Sequence, residues 1–239
     1  PSGGPGCGTG TSASIAVAMI GALSLLKGEY FLRHEIAELA HSLETEELGL
    51  QSGVQDQYAS VYGGFNYMDI EYPRVKISRI DVKPEFTWQL EQQAILVYLE
   101  SRSSSNIHKV VISNFEKGDE KTLDAFDILR SCPKKIVQSV NNNDLKKFGE
   151  IMDINWNAQK KLHEKISNPD IVKLEQLAKK HDALGFKVNG AGGGGSAVIL
   201  SSTGNEYALK LDIIKAGFEL LPFKLNFNGL QVWKNEYLG

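Results

Sequence analysis

The chain has 239 residues, 26 of them basic and 29 acidic, for a formal net charge of −3, and 42% are hydrophobic. That composition suits one or two globular domains, and with both signs interspersed no basic stripe is left for nucleic acid. Cys7 and Cys132, the two cysteines, make neither a disulfide framework nor a zinc spacing, as expected in a reducing, cytoplasmic setting. No apolar run reaches the ~18 residues of a membrane span, so no membrane partner is expected.

The chain opens on PSGGPGCGTGTSAS. Glycines at 3, 4, 6, 8 and 10 permit positive φ and bring backbone N–H groups close to a ligand. Thr11 and Ser12 stand where an N-cap and first turn would be, and residues 15–26 predict a buried helix. A glycine loop feeding a helix N-terminus is an anion site, because its orphan N–H groups and the helix dipole point the same way. The Walker pattern is absent, with no lysine before Lys27, and Gly8-Thr9-Gly10-Thr11-Ser12-Ala13 meets the dinucleotide pattern only loosely.

Residues 29–48 predict a second helix, with Leu32, Ile36, Leu39, Ala40 and Leu43 on one face. His34 and His41 are seven apart, which is no zinc-protease spacing, and both read as part of a solvated face. Residues 54–62 predict a short helix with Asp56 in its first turn, where a carboxylate alone reads as a cap. A strand at 65–68 follows, and 70–90 reads as a crossover broken by Pro73 and Pro84. Residues 94–99 predict a core strand ending in Glu100-Ser101-Arg102-Ser103-Ser104-Ser105, either a helix cap or an arginine–hydroxyl phosphate contact.

Helices are predicted at 121–130 and 134–140 on either side of Pro133, then at 144–165 and from Asn168-Pro169, a cap followed by proline at the first helical position. Gly190-Ala191-Gly192-Gly193-Gly194-Gly195 joins two strands, the second at 197–200. The dinucleotide pattern recurs here by chance, since a strand follows instead of a helix. A helix at 205–217 and two strands, 223–227 and 230–233, joined at Asn228-Gly229 as a hairpin, complete an α+β reading.

Three of these stretches carry a family resemblance. Pro5-Gly6-Cys7-Gly8-Thr9-Gly10-Thr11-Ser12-Ala13 resembles the phosphate loop of the GHMP small-molecule kinases, with Thr9 for the usual leucine and Thr11 for the first serine. Gly53-Val54-Gln55-Asp56-Gln57-Tyr58-Ala59, followed by Tyr62-Gly63-Gly64-Phe65-Asn66, is similar to a segment of the anomeric sugar kinases in that family. Heptose 7-phosphate kinases are nearest and L-fucokinases related. Lys187-Val188-Asn189-Gly190-Ala191-Gly192-Gly193-Gly194-Gly195 resembles the third GHMP motif, and lesser likenesses extend to Trp233.

The resemblance implies an incomplete lobe like ribosomal protein S5 domain 2 over residues 1–85 and a ferredoxin-like lobe over 86–239. It implies ATP phosphates held by Gly6, Gly8, Thr9, Gly10, Thr11 and Ser12, with Gly190, Gly192, Gly193 and Gly194 beside nucleotide or substrate. Asp56 would be the base, and Ser12 with Glu44 would hold Mg²⁺, Glu46 and Glu47 being alternatives to Glu44. Arg102 and Ser103 are candidates for a sugar phosphate. The implied activity is ATP-dependent phosphorylation of D-glycero-D-manno-heptose 7-phosphate at O1, in the cytoplasm. Other readings are an L-fucokinase-like or other sugar 1-kinase, or a sugar- and ATP-binding regulator on the same fold. The family's first motif has no counterpart, so the chain is expected to be the larger, C-terminal part of an enzyme, a natural truncation or one half of a split polypeptide; a homo-oligomer stays open.

Overall fold

The computed structural model describes residues 8–49, 52–100 and 105–234. It divides into two compact units: Gly10–Ile80 with Leu225–Gly239, and Pro1–Thr9 with Asp81–Lys224. The division falls at 80/81, not 85/86, and returns the C-terminal tail to the first unit.

In that smaller unit, α1 (Thr11–Lys27), α2 (Arg33–Ser42) with a π turn (Leu43–Glu47), and α3 (Gln55–Tyr62) precede a hairpin of β1 (Asn66–Glu71) and β2 (Arg74–Arg79). The core joins Ala16, Val17, Ile36, Ala37, Ala40, Val54, Tyr58, Val61 and Val75. Helix α1 is not buried all round. Its small residues Ala13, Ala16, Val17, Gly21 and Ser24 face inward and let neighbours come close, while Ile15, Met19, Leu23 and Leu26 are 52–77% exposed. Helix α2 starts at Arg33, later than the apolar periodicity suggests, because Glu35 Oε2 accepts the Leu32 N–H at 2.6 Å. His34 is half-exposed and pairs with Glu38 at 3.1 Å, whereas His41 is 8% exposed and bonds the Tyr72 hydroxyl at 2.9 Å. The solvated-face reading therefore holds for His34 and fails for His41.

The boundary between the units at 80/81 falls inside the crossover expected at 70–90, but the stretch is regular where a break is expected: it holds the end of β1, then β2, then α4 (Pro84–Gln93). Pro84 stands at the start of α4, where its missing N–H is no loss. The tail forms no hairpin either. Leu230 N donates to Val61 O at 3.0 Å, Gly64 N to Asn226 O at 2.6 Å, and Arg79 Nη2 to Phe227 O at 2.9 Å. The Asn226 side chain accepts the Asn228 and Gly229 N–H groups, so residues 226–230 find backbone partners without a second strand.

The larger unit holds α4, β3 (Ala94–Leu99), α5 (Ser105–Glu116), α6 (Glu120–Asn141), α7 (Leu145–Leu162), a 3₁₀ turn (Glu164–Ile166), α8 (Pro169–Lys180), β4 (Gly185–Val188), β5 (Gly195–Leu200), α9 (Glu206–Lys215) and β6 (Glu219–Leu221). The sheet runs β4-β5-β3-β6, all antiparallel, so strands met in the order one to four lie in space as 2-3-1-4, the ferredoxin-like arrangement. Register stacks Phe186, Ile199 and Ile95 in one row and Val188, Ala197 and Val97 in the next. With a side-chain period of two, this gives one apolar face, onto which Trp156, Ile171, Leu174, Leu209 and Ile213 pack.

Helix α7 lies close on β4 because glycines meet there: a Cβ on Gly185 would overlap the Gly149 backbone. Helix α6 is continuous through Pro133, against the two helices expected. Its packing on α7 buries Ala125, Cys132, Ser139 and Val140 on both sides of the proline and outweighs one lost backbone hydrogen bond. The Asn168 cap forms as the sequence indicates, Oδ1 accepting from Asp170 N and Ile171 N at 3.0 Å.

Candidate active site

In the smaller unit, Gly10 takes φ +67° and caps α1 with no side-chain acceptor, and no acidic residue lies in the first turn. An anion is favoured there by orphan N–H groups and the dipole. Thr11 and Ser12 open the helix. Asp56 lies over its start: a Cβ on Gly10 would stand 3.3 Å from Asp56 Cγ and 3.5 Å from Oδ2. Two serines tie the helices together, with Ser14 Oγ and Ser60 Oγ 2.9 Å apart, Ser14 bonded back to Gly10 O and Ser60 to Asp56 O. Burial pushes the Asp56 carboxyl above its usual range, and the charge of Glu44 adds to the rise.

Glu44 is 5% exposed, inside the π turn, whereas Glu46 and Glu47 are exposed. Its Oε2 accepts from Gln57 Nε2 at 2.6 Å and Ser52 Oγ at 2.9 Å, while Oε1 is buried with no partner. A buried, orphaned carboxylate oxygen is an electrostatic cost that a hard cation would offset, so the residue suits Mg²⁺. Among the described residues no group of three His, Cys, Asp or Glu could enclose a metal. Mg²⁺ commonly needs only one or two carboxylates with substrate phosphates and water.

In the larger unit, Gly8 lies against the third glycine run: its Cβ would stand 3.5 Å from Asn189 O, and one on Gly190 3.8 Å from Gly8 Cα. The run turns through φ of +63°, +87° and +78° at Gly190, Gly192 and Gly193. Successive bends of this kind turn backbone N–H groups into a concave, anion-accepting surface. Asn168 Nδ2 donates to Gly193 O at 3.0 Å, Gly193 N to Ile166 O at 2.7 Å, and Gln159 Nε2 to Gly190 O at 2.8 Å. Beneath it Lys187 Nζ donates to Gln159 Oε1 at 2.7 Å and more weakly to Val188 O at 3.3 Å. Burial pushes the Lys187 ammonium down to about 8, and proximity to Cys132 works slightly the other way.

The family is decided at this point by comparison with known proteins. Residues 2–64 match the GHMP kinases N-terminal domain and 136–218 the GHMP kinases C-terminal domain. The chain belongs to the GHMP kinase family. It is 30% identical to the D-glycero-alpha-D-manno-heptose 7-phosphate kinase of Campylobacter jejuni over 96% of its own length and 68% of that protein's. It is 29% identical to the mevalonate kinase of Pyrococcus horikoshii, over 82% and 56%. A solved D-glycero-D-manno-heptose 1-phosphate kinase from Bacteroides thetaiotaomicron shares the fold at TM-score 0.73 and 20% identity, over 98% and 66%. The chain thus spans between about half and two thirds of these relatives.

For a GHMP kinase, the smaller unit brings together Gly10 and Asp56, with Glu44 near enough to act on the Asp56 charge. The larger brings together Gly8 and the run from Gly190 to Gly194. Gly6, Arg102 and Ser103 lie outside the described residues. Sequence patterns single out the glycines and Asp56 but not Gln57 and Ser52, which hold Glu44, nor Gln159, which bonds the Gly190 carbonyl, and Lys187, which bonds Gln159. Gln57 and Lys187 stand inside the runs that resemble the family and could have been read there. Gln159 stands in Trp156-Asn157-Ala158-Gln159-Lys160-Lys161, one of the lesser likenesses, and Ser52 is signalled by nothing local.

Proposed function

We propose that the chain carries the phosphate loop and catalytic carboxylate of an ATP-dependent kinase that phosphorylates D-glycero-D-manno-heptose 7-phosphate at O1. The observation that carries this reading is Asp56, held over the glycine that opens α1 and made more basic by burial. In the proposed reaction the anomeric hydroxyl oxygen attacks the γ-phosphorus of ATP, the bond from that phosphorus to the β,γ-bridging oxygen breaks, and ADP leaves. The hydroxyl proton passes to the Asp56 carboxylate. Backbone N–H groups of the Gly8 to Ser12 loop hold the ATP phosphates in this reading, the Gly190 to Gly194 loop is assigned to nucleotide or substrate by its resemblance to the third family motif, and positioning supplies most of the rate. Mg²⁺, held by Glu44 with Ser12, would neutralise charge on the triphosphate.

The preference for a heptose phosphate is supported by likeness to the Campylobacter enzyme and by Arg102 and Ser103, an arginine beside hydroxyls suited to the 7-phosphate. The test is ADP release from MgATP with the heptose 7-phosphate, the unphosphorylated heptose and L-fucose as acceptors. Turnover confined to the 7-phosphate, lost selectively in Arg102→Ala, supports the proposal. Faster turnover of L-fucose would move the reading to a fucokinase, and binding of sugar and nucleotide without turnover to a regulator.

A further inference from the structure

Lys187 is a partly buried ammonium whose hydrogen bonds go to two neutral oxygens, Gln159 Oε1 and Val188 O. Such a charge is costly unless it does something a methionine would not. Its effect follows from the bonding inventory. Lysine has donors and no acceptor, so the oxygen end of the Gln159 amide must face it. The NH₂ end is then forced toward Gly190, where Nε2 meets the carbonyl at 2.8 Å. In a trans peptide the N–H points opposite to the C=O, so drawing the Gly190 carbonyl onto Gln159 aims the Ala191 N–H to the other side. Three bonds from outside the loop, by Gln159, Asn168 and Ile166, thereby hold a run whose glycines would otherwise sample both signs of φ.

We propose that Lys187 and Gln159 form a partly buried strut that fixes the Gly190 to Gly194 loop in its anion-accepting shape, and that both are positioning residues for the nucleotide phosphates. The second half rests on the kinase reading above; the first does not. The strut joins elements far apart in sequence: α7 supplies the amide, β4 the ammonium, and the loop after β4 the carbonyl. The ammonium also places a fixed positive charge under a loop proposed to meet a polyanion.

The test uses Lys187→Met, Gln159→Leu and Gln159→Glu in the whole chain. Glutamate at 159 still pairs with Lys187 but sets a carboxylate against the Gly190 carbonyl, so it keeps the pair and loses the loop. Residue-level amide exchange needs no ligand. The Gly193 amide, bonded to Ile166, is expected to exchange about tenfold faster or more in all three variants, with α7 and β4 protection unchanged. Loss of one such contact should weaken MgATP binding about tenfold and raise the nucleotide KM alike, leaving the acceptor KM within about twofold. In Gln159→Glu the melting temperature should hold while loop order and MgATP affinity fall, a split that a merely structural residue would not give. Unchanged Gly193 exchange in both Gln159 variants, or equal acceleration throughout α7 and β4, overturns the strut. Faster Gly193 exchange with MgATP affinity unaltered, or absent in the wild type, overturns the nucleotide role and leaves the strut standing.

Discussion

Replacing Lys187 with methionine removes a partly desolvated charge while keeping most of the side-chain volume. The ammonium is held near pKa 8, about 2.5 units below its ordinary 10.5. At 1.36 kcal/mol per unit, the charged form costs the folded state about 3 kcal/mol. Below pH 8 both folded and unfolded chains carry the proton, and that cost is present in full. Between about pH 8 and 10.5 the folded chain gives up its proton while the unfolded chain keeps it. The unfolded state then binds more protons, so stability rises with pH. Wild-type stability should therefore climb by about 3 kcal/mol relative to Lys187→Met across that window.

At pH 7 the two should lie within about 2 kcal/mol, because the variant sheds the charge but leaves Gln159 Oε1 unpaired. Urea denaturation at half-unit steps from pH 7 to 10.5 reads the difference directly. Taking the difference removes Tyr58, whose hydroxyl is pushed up to about 12 chiefly by burial and whose contribution both proteins share. Repeating the pair in a Cys132→Ala background removes the neighbouring thiol from the comparison. A difference that stays flat from pH 7 to 10.5 would falsify the claim that Lys187 is charged and desolvated in the folded chain.

Asp56→Asn should lower kcat about 10²- to 10⁴-fold with nucleotide affinity within a few-fold, since the carboxylate is proposed to take the acceptor proton. Urea melts of the same variant have a definite sign: a carboxyl raised above its unfolded value of 3.8 makes wild-type stability fall as pH rises through that window. Asp56→Asn should lack this fall and be the more stable at neutral pH; a less stable variant would contradict the burial argument. Alanine at Gly149 normally strengthens a helix, but its Cβ would meet the Leu184 carbonyl, so a net loss of about 2 kcal/mol is expected by thermal melting. A rise in melting temperature would show that α7 and β4 can part cheaply. Asn168→Ala removes the cap of α8 and the bond to Gly193 O together, and should cost about 1–3 kcal/mol. A loss no larger than that of an exposed cap would mean the Gly193 bond contributes nothing.

Local chemistry by itself determined much of this protein. Strand β3 falls at the predicted residues 94–99 because a continuous apolar run flanked by polar residues suits a central strand, and α8 starts where Asn168 and Pro169 dictate. The glycine runs and the Gln55-Asp56-Gln57 segment are equally legible, since their function needs backbone freedom and particular side chains at short spacing. Tertiary structure decided the rest. Pro133 should end a helix, yet burial along α7 carries α6 through it. Asn228-Gly229 should join two strands, yet the tail bonds instead to Val61 of α3, to Gly64 and to Arg79 of β2, contacts that no nearest-neighbour pattern encodes. Residues 15–26 read as wholly buried because a run of apolar residues does not reveal which side will find a partner. Gln159 and Lys187 lie 28 positions apart and meet only because α7 packs on β4 through Gly149 and Gly185. Their bond depends on the approach of two elements, which a local pattern does not encode.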